Sequence, residues 1–227
     1  MIPKYPSYTA RLHEGHKGLV VGIANEQSIA WGCAAAFRGL GAEVAITYRN
    51  EKTKKYVEPL ARELETPIFM PLDVEAPGHM EAVFERIEKE WGKLDFLVHS
   101  IAFSPKEALS GRVIDVKRDG FITTMDISCW SFIRMAHLAE PLMKDGGAIF
   151  TMTYYGSQMV VKNYNIMGVA KAALEAQCAT SPPNSGRRGF GFTLFRQARS
   201  QRAPRRESLS STPCWRKRRE KRPPASS

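Results

Sequence analysis

The sequence predicts an α/β protein built on a doubly wound parallel sheet. Two observations predict it. Short, strongly apolar runs such as Leu19-Val20-Val21 and Phe96-Leu97-Val98 have the composition of strands buried on both faces. These runs alternate with amphipathic stretches of helical period from residue 18 to residue 176. Right-handed crossovers through such helices give a parallel sheet with helices on both sides.

Each element follows in order. Leu19 to Gly22 is the first strand, and Ser28 to Gly39 the helix after it. Glu43 to Tyr48 is the second strand, and Glu51 to Leu64 a helix with Glu, Lys and Arg on its polar face. Pro67 to Leu72 is the third strand, followed by a helix over His79 to Trp91 that turns Val83, Phe84 and Ile87 to one side. Phe96 to Ser100 is the fourth strand, Asp126 to Met143 a long helix, and Ala148 to Tyr154 the fifth strand. No internal repeat is visible.

Composition divides the chain. Of its 227 residues, 33 are Lys or Arg and 23 are Asp or Glu, a formal charge of +10. From Cys178 onward there are 13 basic and 2 acidic residues, a net of +11, which leaves the first 177 residues at −1. A near-neutral body with a basic tail is not a chain that coats nucleic acid over its whole surface. The 43% hydrophobic content is enough for a core. No apolar run approaches the roughly 20 residues needed to span a bilayer, and the first 18 residues lack the apolar centre of a signal peptide. Cys33, Cys129, Cys178 and Cys214 show no CxxC spacing, so no metal is expected and a reducing cytoplasm is the simplest setting.

The strand ends carry the candidate chemistry. Gly22 at the end of the first strand, then Ser28 and Ile29 opening a helix, is the arrangement that cradles a diphosphate on free helix amides. It is not GxGxxG, and a glycine turn with a Ser28 helix cap explains the same residues. Asp73-Val74 ends the third strand, where an acid can accept from an adenine amino group. Ser100-Ile101-Ala102 ends the fourth with small residues that let a cofactor lie close. Arg49 ends the second strand, where it can pair with a ribose 2′-phosphate or simply be a solvated cation. Tyr154, Tyr164 and Lys171 are the catalytic candidates. Tyr164 and Lys171 are seven apart, two helical turns or about 10 Å on one face. A lysine beside the phenol would lower its pKa; an ordinary helix face is the alternative.

With these residues in order, residues 18–176 resemble the bacterial enoyl-acyl-carrier-protein reductases, a divergent branch of the short-chain dehydrogenase/reductases. The matching stretches are Gly22-x5-Ser28-Ile29-Ala30, Asp73-Val74, Val98 to Phe103, Asp126-Ile127-Ser128, Tyr154-Tyr155-Gly156, and Asn163-Tyr164-Asn165-x-Met167-Gly168-x-Ala170-Lys171-Ala172. An ordinary short-chain dehydrogenase would show Tyr-x3-Lys, but Gly168 stands where that lysine would fall. The resemblance implies a Rossmann-like domain over 18–176, preceded by an extension over 1–17. It implies NADH-dependent reduction of trans-2-enoyl thioesters on acyl carrier protein, in fatty acid elongation, by a homotetramer. Hydride would go to C3, Tyr164 would stabilise the enolate oxygen, Lys171 would hold the nicotinamide ribose, and Tyr154 would border the substrate and assist protonation. Gly22, Ser28 and Ile29 would face the diphosphate, Asp73 and Val74 the adenine, Ser100 and Ile101 the nicotinamide side. Arg49 replaces the glutamine common in the family and leaves NADPH open.

The family pattern stops at Ala176. Residues 177–227 read as a disordered tail rich in Pro, Ser and Arg, with only Phe190 to Phe195 locally apolar. Codons permitted for Cys178 to Arg199, read one nucleotide earlier, allow the family's helix end, next strand and Ser-Pro-Gly-Pro loop. A one-nucleotide deletion near the Ala176 and Gln177 codons is therefore expected. It would leave the last strands missing, the tetramer weakened and the reductase weak or inactive. Two alternatives stand beside this reading. One is a ketone-type short-chain reductase. The other is a nucleic-acid binder acting through Arg216-Lys217-Arg218-Arg219, although Trp215 is the only aromatic beside that run.

Overall fold

The computed structural model describes residues 11–180 and 190–197. Six strands form one parallel sheet in the order β3-β2-β1-β4-β5-β6. They are β1 (Lys17–Val21), β2 (Glu43–Tyr48), β3 (Phe69–Pro71), β4 (Phe96–His99), β5 (Gly147–Tyr154) and β6 (Phe190–Gln197). The helices are α1 (Ile29–Gly39), α2 (Glu51–Glu63), α3 (His79–Trp91), α4 (Lys106–Leu109), α5 (Arg118–Met125), α6 (Ser131–Ala139) and α7 (Asn165–Thr180).

Alternation along the strands explains the layering. In β1, Leu19 and Val21 join a core with Val83, Ile87, Phe132, Met135 and Ala170 from α3, α6 and α7. Val20 points the other way, to Ala30, Ala34, Val57 and Leu60 of α1 and α2. Both faces are covered, so every residue of β4 is buried. Parallel register pairs Leu19 with Ala45 on one side and with Leu97 on the other. The chain leaves β1 toward β2 and β3 but crosses back to β4, so the strand order reverses at β1/β4. A crevice opens there at the carboxyl ends of the strands.

The structure departs most from the expected elements in three places. The long helix expected over Asp126 to Met143 starts eight residues earlier, at Arg118, passes through a π turn over Asp126–Trp130, and ends at Ala139. Pro141 in the following 3-10 turn, Glu140–Leu142, explains the early end. Near the other end, α7 runs through Gln177 to Thr180, past the expected break at 176. Finally, the expectation that the last strands are missing is corrected for one of them. Phe190–Gln197 pairs in parallel with β5 over its whole length, from Gly147↔Phe190 to Tyr154↔Gln197. An apolar, aromatic segment close to an open strand edge satisfies that edge's backbone groups. The rest of the expected tail, including Arg216 to Arg219 and Cys214, lies outside the described residues, as do residues 1–10 of the expected extension. The described part of that extension packs on the body: the His13 amide donates to the Leu40 carbonyl at 3.0 Å, and the His13 ring lies 5.5 Å from that of Phe37.

Candidate active site

The crevice begins at Gly22, which takes a positive φ of 96°. A Cβ there would overlap the Ser100 carbonyl oxygen. Only glycine allows the ends of β1 and β4 to approach this closely, and the Ser100 amide closes the contact by donating to the Val21 carbonyl at 3.1 Å. The loop from Ile23 to Gln27 is organised by Ser28. Its hydroxyl accepts from the amides of Ala24 at 3.0 Å and Asn25 at 3.1 Å. Ser28 occupies the cap position of α1 but makes no side-chain cap bond, so its hydroxyl shapes the loop instead. The Trp31 amide, in the first turn of α1, donates to the Ser28 carbonyl at 3.0 Å, and the amide-bearing start of the helix faces out beyond the loop.

Six of the sequence-identified residues, Gly22, Arg49, Asp73, Val74, Ser100 and Ile101, line one cavity of about 210 Å³. Ser28 and Ile29 are not among its lining residues. They stand at the start of α1, where Ile29 is 44% exposed. Two further lining residues, Glu75 and Phe103, were not among the candidate site residues, although Phe103 closes a stretch that matches the family. Glu75 accepts from Arg49 at 2.9 Å, while Asp73 accepts from the same guanidinium at 3.3 Å. Phe103 lies opposite, its ring centre 5.8 Å from the Arg49 guanidinium carbon. The Phe103 backbone is pinned by buried Ser128, whose hydroxyl accepts from the Phe103 amide and donates to its carbonyl, both at 3.1 Å. Ser128 sits in the π turn between α5 and α6, an irregularity often placed at functional sites.

The tyrosines lie at the end of β5 and just before α7. Tyr154 and Tyr164 meet edge to face, ring centres 4.9 Å apart. Tyr164 lines a groove of about 710 Å³ along α7, with Met159, Val161, Gly168 and Val113 among its neighbours. Gly156 leaves room for the Tyr164 ring, which a Cβ at that position would strike. Burial, with Tyr154 adding to it, pushes the Tyr164 phenol up to about 12. The expectation that Lys171 lowers this phenol is therefore corrected: desolvation dominates. Lys171 is only 6% exposed, and its ammonium donates to the Met152 carbonyl at 2.7 Å. Burial pulls Lys171 down to about 8. It belongs to a buried polar layer along β5. There His99 shares a hydrogen bond with Ser131 at 2.8 Å and is held neutral, its pKa down to about 3 through burial and then Lys171. The Cys129 thiol donates to the Ala170 carbonyl at 3.1 Å. Glu175 accepts from Thr153 at 2.6 Å and from Ser157 at 2.7 Å, bracketing Tyr154 on both sides. Among the described residues no cluster of His, Cys, Asp or Glu could hold a metal, and no helix is long and apolar enough to cross a membrane.

Sheet order and the crevice at the switch point define a doubly wound α/β fold of the kind that holds nucleotides. The model of the family described as Enoyl-(Acyl carrier protein) reductase matches residues 22–189, and the chain belongs to that family. An enoyl-[acyl-carrier-protein] reductase [NADH] of Rhizobium meliloti is 49% identical over 179 residues, covering 79% of this chain and 66% of its own length. The crystal structure of the Anaplasma phagocytophilum reductase in complex with NAD superposes with a TM-score of 0.73 at 48% identity, over 76% of this chain and 66% of that one. The Bacillus cereus reductase with NADP+ and an indole naphthyridinone gives 0.77 at 39% identity, over 81% of this chain and 72% of that one. The chain thus spans about two thirds of the length of the curated relatives it matches.

Proposed function

We propose that this chain binds NADH in the β1–β4 crevice and reduces trans-2-enoyl thioesters carried on acyl carrier protein, the step its relatives are named for. The crevice fits such a cofactor. The small residues Ser100 and Ala102 leave its wall low, Val74, Ile101 and Phe103 offer apolar surface, and the Asp73 carboxylate can accept from an amino group; the amino end of α1 suits a diphosphate. When bound, the cofactor supplies hydride to C3 of the enoyl group. Tyr164 then donates its phenol proton in a hydrogen bond to the thioester oxygen where negative charge develops. A phenol held near 12 stays protonated across the working pH range and can always donate. Tyr154 fixes the Tyr164 ring edge-on. Lys171 keeps the region positive, and Ser28 with Ile29 presents the α1 amides to the diphosphate.

The observation that carries this reading is Tyr164, kept protonated beside a groove and packed against Tyr154 at the end of β5. Full-length protein should oxidise NADH in the presence of crotonyl thioester, and Tyr164→Phe should lower kcat by about 10²–10³, the usual cost of one oxyanion donor. Equal rates for the two proteins would refute the assignment. Free thiols at Cys33, Cys129 and Cys178 suit a cytoplasmic setting. The family match ends at residue 189, and we further propose that the basic tail is the product of a shifted reading frame. On that reading, turnover is far below that of the relatives and tetramer assembly is weak. DNA across the Ala176 to Cys178 codons whose other frame is unrelated to the family would exclude the shift.

A further inference from the structure

The relatives solved with NAD and with NADP+ show that both cofactors occur within the family. The adenosine end of this crevice decides between them. Arg49 is the cation that would meet a 2′-phosphate, but two of its three guanidinium nitrogens already donate to carboxylates. Its Nε donates to Asp73 at 3.3 Å and one terminal nitrogen donates to Glu75 at 2.9 Å. The Glu75 amide in turn donates to the Asp73 carboxylate at 3.2 Å, which holds the two acids side by side. The cluster therefore carries one positive and two negative charges.

The other anion-binding device at this end is also occupied. The start of α2 follows Arg49 directly, yet the Asn50 side chain accepts from the amides of Lys52 and Thr53, each at 3.1 Å. Lys54 is turned to Glu51 at 3.6 Å. A 2′-phosphate entering here would meet a net negative cluster and a capped helix end.

We infer that Glu75, by neutralising Arg49, is a specificity-determining residue that makes this chain select NADH over NADPH. Each exposed pair is individually weak. Discrimination comes from the second carboxylate, which a dianionic phosphate meets whether or not Arg49 swings toward it. A free 2′-hydroxyl has no such penalty and can donate to either acid.

This inference rests on the crevice being the cofactor site, and the test separates the two. Full-length protein and Glu75→Gln are titrated calorimetrically with NADH, NADPH, 5′-ADP and 2′,5′-ADP at low and at 0.5 M salt. Wild type should bind 5′-ADP at least about tenfold more tightly than 2′,5′-ADP. Glu75→Gln should raise affinity for the 2′-phosphorylated ligands about three- to tenfold more than for the others, and high salt should shrink that gain. Wild type preferring 2′,5′-ADP, or an unchanged ratio in Glu75→Gln, would overturn the inference while leaving the site intact. No binding of NADH or 5′-ADP to wild type would overturn the site itself, and the inference with it.

Discussion

The two halves of the candidate site are built in different ways. The β1–β4 crevice is made of strand ends brought together by register, with backbone doing most of the work: Gly22 against Ser100, the Leu72 amide on the Tyr48 carbonyl at 2.8 Å. The tyrosine half stands on side chains, with His99, Ser131, Lys171 and Cys129 in a buried layer and Glu175 strapping the end of β5 to α7. A crevice set by sheet topology tolerates surface change but not backbone change. An edge set by buried polar contacts responds to single side-chain substitutions and to pH.

The largest effect should come from breaking the backbone half. Gly22→Val places a β-branched side chain at a positive φ, over the Ser100 carbonyl. It should cost about 3 kcal/mol or more and abolish NADH binding, as read by chemical denaturation and calorimetry. A variant with unchanged stability would show that the close approach is not needed. In the other half, Glu175→Gln exchanges a charged acceptor of two hydrogen bonds for a neutral one. It should destabilise the protein by about 1–3 kcal/mol and lower kcat while leaving the NADH dissociation constant unchanged. A shift in NADH affinity instead would mean that Glu175 serves the crevice, not the tyrosines.

An effect no larger than that of Glu175→Gln is expected from proton linkage in the buried layer. His99 has a folded pKa of about 3 against 6.5 when exposed, so the unfolded chain binds the extra proton between those values. Stability is therefore complete above pH 6.5 and falls as pH drops, by about 2 kcal/mol between pH 6.5 and 5 for this group alone. Lys171 acts in the same sense at higher pH: its folded value of about 8 lies below the unfolded 10.5, so it favours folding as pH rises through that window. Urea unfolding at pH 6.5 and 5 should show a smaller loss for His99→Gln than for wild type; equal losses would place the buried charge cost elsewhere.

Much of the sheet was legible because its signals are local. Glu43–Tyr48 and His79–Trp91 have the boundaries expected from apolar runs and helical period. The start at Arg118 was hidden by Gly120, Thr123 and Thr124, poor helix formers whose stretch is held by tertiary contacts such as Thr124 donating to Ser104 at 2.8 Å. β6 was read as no more than a locally apolar patch because a lone strand has no signal apart from the edge that receives it. The same division holds at the site. Gly22, Asp73 and Ser100 are marked by their places at strand ends, whereas the Arg49–Glu75 pair, the Ser128 clasp on Phe103 and the burial of Lys171 join residues distant in sequence or depend on depth.

The central claim is that the strand-end crevice is a dinucleotide site. Calorimetric titration of NADH into full-length wild-type protein, with Gly22→Val alongside, tests it most directly. The account predicts saturable binding at one site per chain for wild type and none for Gly22→Val. Absence of NADH binding to folded wild-type protein would contradict it.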